Sequence, residues 1–250
     1  MAAMNDNREF LKSHRWAGFE KMETDQRLNK PAPPVQKPFP KNAKLIDLLP
    51  PETFQVGSVT LVEVIWGRMS HRKYTAESLT LEELSYLLWA TQGIREISEN
   101  RKYSLRTVPS GGARHSFETY LLVQRVQSLE PGLYRYLPIE HKLHFIREEA
   151  DISSKVIEGC REQKFVGNAA VVFVWTTIPY RAEWRYGSIA HKMIAMDSGH
   201  VCQNLYLACG SIGAGTCAVD AYNQSKMDAL LDVDGVDEFV VYVAPVGKVG

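Results

Sequence analysis

Charge of one sign is missing from this sequence of 250 residues. Lys+Arg and Asp+Glu number 29 each, for a formal net charge of zero. A uniformly basic or acidic surface for nucleic acid or an anionic membrane is therefore excluded, and only local clusters can carry such a message. Long apolar runs are missing too. The longest, AAVVFVW from Ala169 to Trp175, has seven residues, against roughly 20 for a membrane-crossing helix. The opening MAAMNDNREF lacks the apolar centre of a secretory signal. The four cysteines, Cys160, Cys202, Cys209 and Cys217, include no C-x-x-C pair, so neither a zinc ribbon nor a thioredoxin motif is present. No Walker GK[ST] occurs. Gly213-Ala214-Gly215 is no dinucleotide fingerprint, because it falls between a helix and a strand rather than a strand and a helix. These absences lead us to expect a reducing, cytoplasmic protein with free thiols, no metal, and neither nucleic acid nor membrane as partner.

What is present is the composition of a globular domain: 45% hydrophobic and 23% charged residues. Residues 1–60 read as an N-terminal arm and linker. The stretch NKPAPPVQKPFPKN, Asn29–Asn42, carries five prolines, which forbid regular helix and favour extended backbone. Trp16, Phe19 and Phe39 give the arm apolar side chains to bury, so partial order is expected. The main domain, residues 61–250, opens on the helical spacing of LVEVIWGR. SLTLEELSYLLWATQG follows as a stronger helix: Thr80 caps it, Glu83 completes a capping box, and Gly93 ends it. ETYLLVQRV reads as a strand. GLYRYLP and KLHFIRE form a hairpin, and AAVVFVW is a strand buried on both faces. A long helix spans about Ser188–Ile212, then GAGTCAV, the short helix SKMDALLD and the strand EFVVYVAPVGK. This order predicts an α+β domain, a sheet covered by helices.

Three irregular stretches have chemical content. GRMSHRKY, Gly67–Tyr74, sets Arg68, Ser70, Arg72 and Lys73 within six residues; it fits a phosphate socket or a solvated helix end. VPSGGARH, Val108–His115, has almost no bulk at Ser110-Gly111-Gly112-Ala113. It fits a backbone cradle for a flat or anionic ligand, or an ordinary tight turn. GAGTCAVDAY, Gly213–Tyr222, is a small-residue platform ending at Asp220-Ala221. A flavin mononucleotide needs all three: cations for its phosphate and close N–H donors at its ring edge. On the long helix, Asp197, His200 and Asn204 share a face at i, i+3 and i+7. A lone histidine there suits helix–helix hydrogen bonding at a dimer core better than metal binding. Cys202 and Cys209 read as small apolar residues, and Met193 and Met196 as core candidates.

Together these motifs, with PGLYRYLPIEHKLHFI, WRYGSIAHKMIAMDSGHVCQNLYLACGSIGAGTCAVDAY and VVYVAPVGK, make the sequence similar to the FMN-dependent nitroreductase family from about Pro31 onward. The branch it most resembles includes the SagB-like, azoline-forming dehydrogenases. The resemblance implies a nitroreductase-like α+β fold, a mostly antiparallel sheet flanked by helices in an intertwined homodimer. It implies FMN as cofactor, with NADH or NADPH as electron donor. Arg68, Ser70 and Arg72 would hold phosphate and ribityl. Pro109, Ser110, Gly111 and Gly112 would cover the flavin of the other subunit. Asp220 and Ala221 would present a backbone N–H to flavin N5. Gln163 would reach the flavin or its ribityl chain, and Lys248 would add charge near the phosphate.

The implied activity is reduction of a small electrophile, a nitro compound or quinone, by NAD(P)H through hydride relay at flavin N5. The alternatives are dehydrogenation of a peptide azoline or another substrate, or a non-catalytic subunit of a peptide-modifying complex. One departure bears on this choice. The azoline dehydrogenases carry a Lys-Tyr pair where this chain has Arg185-Tyr186. Arginine stays protonated and cannot act as a base. Tyr186 keeps a possible acid–base role, and Arg185 becomes a fixed cation for an anionic substrate or for Glu183 or Asp197.

Overall fold

The computed structural model describes residues 8–250. Two capping boxes start two helices of the main domain. Helix α1 (Leu61–Gly67) is capped by Thr60 with Glu63, and α2 (Leu81–Gln92) by Thr80 with Glu83. In α2 the Glu83 N–H donates to Thr80 Oγ1 at 3.1 Å, and the Thr80 N–H to Glu83 Oε2 at 2.9 Å. Gly93 ends α2 because only a glycine fits: a Cβ there would lie 2.6 Å from the Trp89 carbonyl oxygen.

Seven strands form one sheet in the order β1 (Lys44–Asp47), β6 (Lys142–Glu148), β5 (Gly132–Leu137), β4 (Phe117–Val123), β7 (Val171–Thr177), β9 (Phe239–Lys248), β8 (Ala214–Thr216). Every neighbouring pair is antiparallel. A separate ribbon pairs β2 (Ile94–Ile97) with β3 (Ser104–Arg106). The expected hairpin is β5–β6, joined through Pro138–His141. The main domain also holds the α-helices α3 (Ile152–Gly159), α4 (Lys164–Gly167), α5 (Tyr180–Tyr186), α6 (Ala190–Gly210) and α7 (Gln224–Leu231).

Successive strand residues point to opposite faces, and both faces of this sheet are covered. Leu121, Val123, Phe173 and Trp175 pack toward Leu84, Leu87, Leu88 and Leu205 of α2 and α6. Tyr120, Leu122, Val172 and Val174 pack toward Val156 and Met227 of α3 and α7. That two-sided cover is why β7 has no polar alternation and is buried at every residue. Met193 packs against the first core layer, whereas Met196, expected in the core, is 55% exposed because it falls on the outer face of α6. No helix among the described residues is long and apolar enough to cross a membrane.

The stretch read as an arm supplies edge strand β1, and the proline-rich segment before it is stitched to the sheet by buried charge. Glu118 on β4 accepts the Lys37 N–H at 2.8 Å and Arg181 Nη2 at 2.5 Å, with Arg135 Nη1 at 3.8 Å. Arg135 Nη2 donates to the Pro38 carbonyl and Arg106 Nη2 to that of Val35, each at 2.8 Å. Lys37 Nζ pairs with Glu238. Nearer the N-terminus, Trp16 and Phe19 pack on Tyr186, with ring centroids 6.0 and 5.8 Å away.

Burial opposes ionisation of Glu118, but Arg181 and Arg135 outweigh it and hold the carboxyl below its ordinary range. Removing one member of a buried ion network leaves the others uncompensated, so Glu118→Ala should cost about 3–5 kcal/mol in urea unfolding. A carboxyl whose folded pKa is depressed stabilises fully above its unfolded pKa, about 4.3, and loses that effect as pH falls through the folded value. The wild type should therefore lose more stability than Glu118→Gln as pH falls below about 4.

Candidate functional site

The segment after α1 lies in extended form across β8 and β9. The His71 N–H donates to the Thr216 carbonyl, and the Thr75 N–H to that of Lys248, each at 2.9 Å. Two glycines permit this approach: a Cβ on Gly215 would come within 2.5 Å of the His71 ring, and one on Gly247 within 2.9 Å of Tyr74. The small residues of GAGTCAV and APVGK are thus the seat of the basic segment. Tyr74 locks it, its hydroxyl donating to the carbonyls of His71 at 2.9 Å and Pro245 at 3.1 Å.

On this seat Arg68 and Arg72 are exposed. Each guanidinium leans over a ring: Arg68 lies 5.6 Å from the centroid of Tyr206, and Arg72 lies 5.9 Å from that of Phe165. Neither pairs with a carboxylate among the described residues. Ser70 Oγ meets the Tyr206 hydroxyl at 3.0 Å, and the same hydroxyl accepts the Ala218 N–H at 2.8 Å. Gln163 Nε2 donates to the Ala221 and Cys160 carbonyls, both at 2.9 Å. Arg68, Ser70, Arg72, Gln163, Asp220 and Ala221 therefore belong to one neighbourhood, knitted by Tyr206 and Phe165. Lys248 stands at its margin with its charge shared: Nζ pairs with Glu83, the capping residue of α2, and donates to the Ile212 carbonyl at 2.9 Å.

The Pro109–Gly112 turn lies elsewhere. The Gly111 N–H points between the two carboxylate oxygens of Asp197, at 3.2 and 3.3 Å. Ser110 Oγ accepts the His115 N–H at 2.9 Å. A Cβ on Gly111 would overlap Met193, and one on Gly112, which has φ +63°, would overlap the Tyr186 hydroxyl. Asp197 and Tyr206 are nine residues apart on α6, about 14 Å along the axis. Within one chain, the turn with Tyr186 and the basic segment with Ala221 are two separate clusters.

A nitroreductase family model matches residues 65–248. The chain belongs to the nitroreductase family. A protein of Methanocaldococcus jannaschii described as a nitroreductase is 31% identical over 193 residues, covering 77% of this chain and 93% of that protein. A solved structure described as a nitroreductase from Ralstonia eutropha aligns with a TM-score of 0.68 at 25% identity, over 88% of this chain and 99% of the other. The fold is also shared with a chain of the Escherichia coli microcin synthetase McbBCD complex, TM-score 0.61 at 20% identity, over 84% of this chain and 79% of that one.

In this family member Tyr186 is 7% exposed, under Trp16 and Phe19. Arg185 stacks on it, the guanidinium 5.2 Å from the ring centroid. Neither carboxylate expected of Arg185 is its partner: Glu183 pairs with His191 at 2.7 Å, and Asp197 faces His200 at 3.8 Å. Arg185 thus keeps an uncompensated charge among the described residues. Asn204 bonds within the chain, donating to the Ala90 carbonyl of α2 at 2.9 Å. Burial and the neighbouring Arg106 push the His115 pKa down to about 2, so this histidine is neutral and shapes the turn. Burial raises the thiols of Cys160 and Cys202 to about 12, which removes them as nucleophiles.

Tyr206 and Phe165 are the site residues that sequence reasoning missed. Tyr206 sits on a helix whose register against β8 only the fold supplies. Its hydroxyl serves Ser70 and the Ala218 N–H together, so Tyr206→Phe should cost about 1–3 kcal/mol in thermal unfolding, the range for orphaning a part-buried donor.

Proposed function

We propose that the protein is an FMN-dependent oxidoreductase that reduces a small electrophilic acceptor, such as a nitro compound or quinone, with NADH or NADPH. The observation that carries this reading is the Arg68–Ser70–Arg72 segment, bound through Tyr206 to the Ala218–Ala221 backbone. Two exposed arginines without carboxylate partners among the described residues fit a phosphate. Thr216 Oγ1, on the strand that receives His71, is buried without a hydrogen-bond partner and fits a ligand hydroxyl. The residues present therefore fit FMN.

When bound, FMN supplies the two-electron carrier that accepts hydride from the donor and passes it to the acceptor. The chain's own groups bind and orient. Arg68, Ser70 and Arg72 hold phosphate and ribityl, Gln163 fixes the Ala221 carbonyl, and the Ala221 backbone is left to meet the ring edge. Lys248, tied to Glu83, contributes a shared charge at the margin. Arg185 offers a fixed cation and Tyr186 a hydroxyl beside Gly112. Arginine in the position of a base favours reduction of an acceptor over azoline oxidation.

The two half-sites complete each other in a homodimer, with the Pro109–Gly112 turn and Tyr186 of one chain over the basic segment of the other. Two surfaces support this. Helix α1 exposes Leu61, Val62, Ile65 and Trp66, the last 92% exposed, an apolar face unusual on a monomer. The outward face of α6 carries Ala195, Gly199 and Gln203, exposed at four-residue spacing, and nothing stands within 4 Å of a Cβ on Gly199, so a second helix can approach closely. An obligate dimer of this kind buries more than about 2,000 Å². The domain from residue 61 to 250 holds the binding elements of each chain, and residues 8–60 wrap it.

The purified protein should be yellow, with one FMN per chain. Charge-assisted bonds are worth about 1.5–3 kcal/mol, so Arg68→Ala should weaken FMN roughly ten- to a hundredfold in fluorescence titration. Unchanged affinity would sink the assignment. Sedimentation should give a dimer for the wild type and a monomer with weak FMN binding for Trp66→Asp; a wild-type monomer that holds FMN would refute the composite site. Steady-state turnover of NAD(P)H with and without a nitroaromatic or quinone checks the direction. Oxidation of an azoline peptide at comparable rate would favour the dehydrogenase reading, and a colourless, inactive protein a partner subunit.

A further inference from the structure

The arm does more than wrap the domain. Between it and the first turns of α6 lies a cavity of about 210 Å³, lined by Phe10, Trp16, Ile189, Met193 and Met196 with Lys12, Arg15 and Lys192. Its floor is apolar: Ile189 belongs to the core, and Met193 packs on it. Its walls are aromatic and come from the arm. Its remaining lining is Ser13 and three cations. Lys12 is neutralised by Glu9. Arg15 reaches only a carbonyl, that of Ser188 at 3.4 Å, and Lys192 the Leu11 carbonyl and Ser13 Oγ. Two positive charges thus border an apolar slot with no carboxylate of their own among the described residues. Drug-sized pockets run from about 300 Å³ upward, so this one holds a single ring with its substituent.

We infer that this cavity binds a small planar carboxylic acid, ring between Trp16 and Met193 and carboxylate toward Arg15 and Lys192. Thioether–aromatic contact suits Met193 and Met196 to such a ring, and a guanidinium beside an ammonium suits a carboxylate. The cavity shares a wall with the Pro109–Gly112 turn, because its lining Met193 is the side chain against which Gly111 closes, and its lining Trp16 packs on Tyr186. The acid is therefore positioned as substrate, a role that rests on the composite site proposed above; the binding itself does not.

Calorimetric titration of the full chain with benzoate and with benzamide, its uncharged analogue, tests the binding. Benzoate should bind one per chain and at least tenfold more tightly than benzamide. Arg15→Gln combined with Lys192→Gln should abolish that preference, and Trp16→Ala should weaken both ligands; melting temperatures, read alongside, separate this from loss of the Trp16–Tyr186 and Lys192–Leu11 contacts. Equal affinity for the two ligands, or benzoate binding that survives in both variants, would overturn the pocket. The substrate role is read separately, on FMN-loaded protein with NAD(P)H. KM for 4-nitrobenzoate should be at least tenfold below that for its methyl ester, with similar kcat, and the gap should vanish in the Arg15/Lys192 variant. Benzoate binding without that gap would overturn the substrate role. A protein that takes up no FMN yet binds benzoate would remove the flavin reading, and the substrate role with it, while supporting the pocket.

Discussion

One buried carboxylate governs how the outer parts of this chain reach its centre. Glu118 sits on β4 at 3% exposure and takes hydrogen bonds from the Lys37 backbone and the Arg181 guanidinium, with Arg135 close by. An unpaired charge there would be prohibitive, so the three partners must arrive together. Lys37 brings the proline-rich segment, and Arg181 brings α5, whose last residue is Tyr186. The positions of the arm and of the candidate acid–base group thus follow from neutralising a single charge. Arg135 and Arg106 add carbonyl contacts that leave prolines at 33–40 extended without any helix or strand of their own.

The second constraint is the length of α6. A helix of 21 residues separates whatever it anchors at its two ends. Asp197 anchors the glycine turn and Tyr206 the basic segment, about 14 Å apart. Each cluster is closely packed for its own reason, the turn because Gly111 and Gly112 are closed in by Met193 and Tyr186, the segment because His71 and Tyr74 seat on Gly215 and Gly247.

Much of this was legible in the residues. Thr80 with Glu83 and Gly93 announced α2, and the apolar run at Ala169–Trp175 announced a strand covered on both faces, since local capping chemistry and side-chain periodicity act within a few residues. The α+β class followed from the order of elements, and the family and the antiparallel sheet from the resemblance that the motifs carry. Strand β1, the β2–β3 ribbon and the short helices α3 to α5 were not foreseen; KLID is a strand only because β6 offers it an edge. Met196 faces outward because register on α6, rather than hydrophobicity, decides which methionine meets the core.

By itself the sequence determined the elements that depend on neighbours along the chain: capped helices, a doubly buried strand, glycines where backbone must pass close, and the residue types a phosphate or flat ligand requires. Only the tertiary structure decided which of those elements meet. It joined Ser70 to Ala218 through Tyr206, gave Lys248 to Glu83, left Arg185 without Glu183 or Asp197, and laid Trp16 over Tyr186. The reason is physical. A side chain's partners across long sequence separations are set by sheet register and helix packing, which are properties of the whole core, whereas caps, turns and periodicity are settled by a handful of adjacent residues.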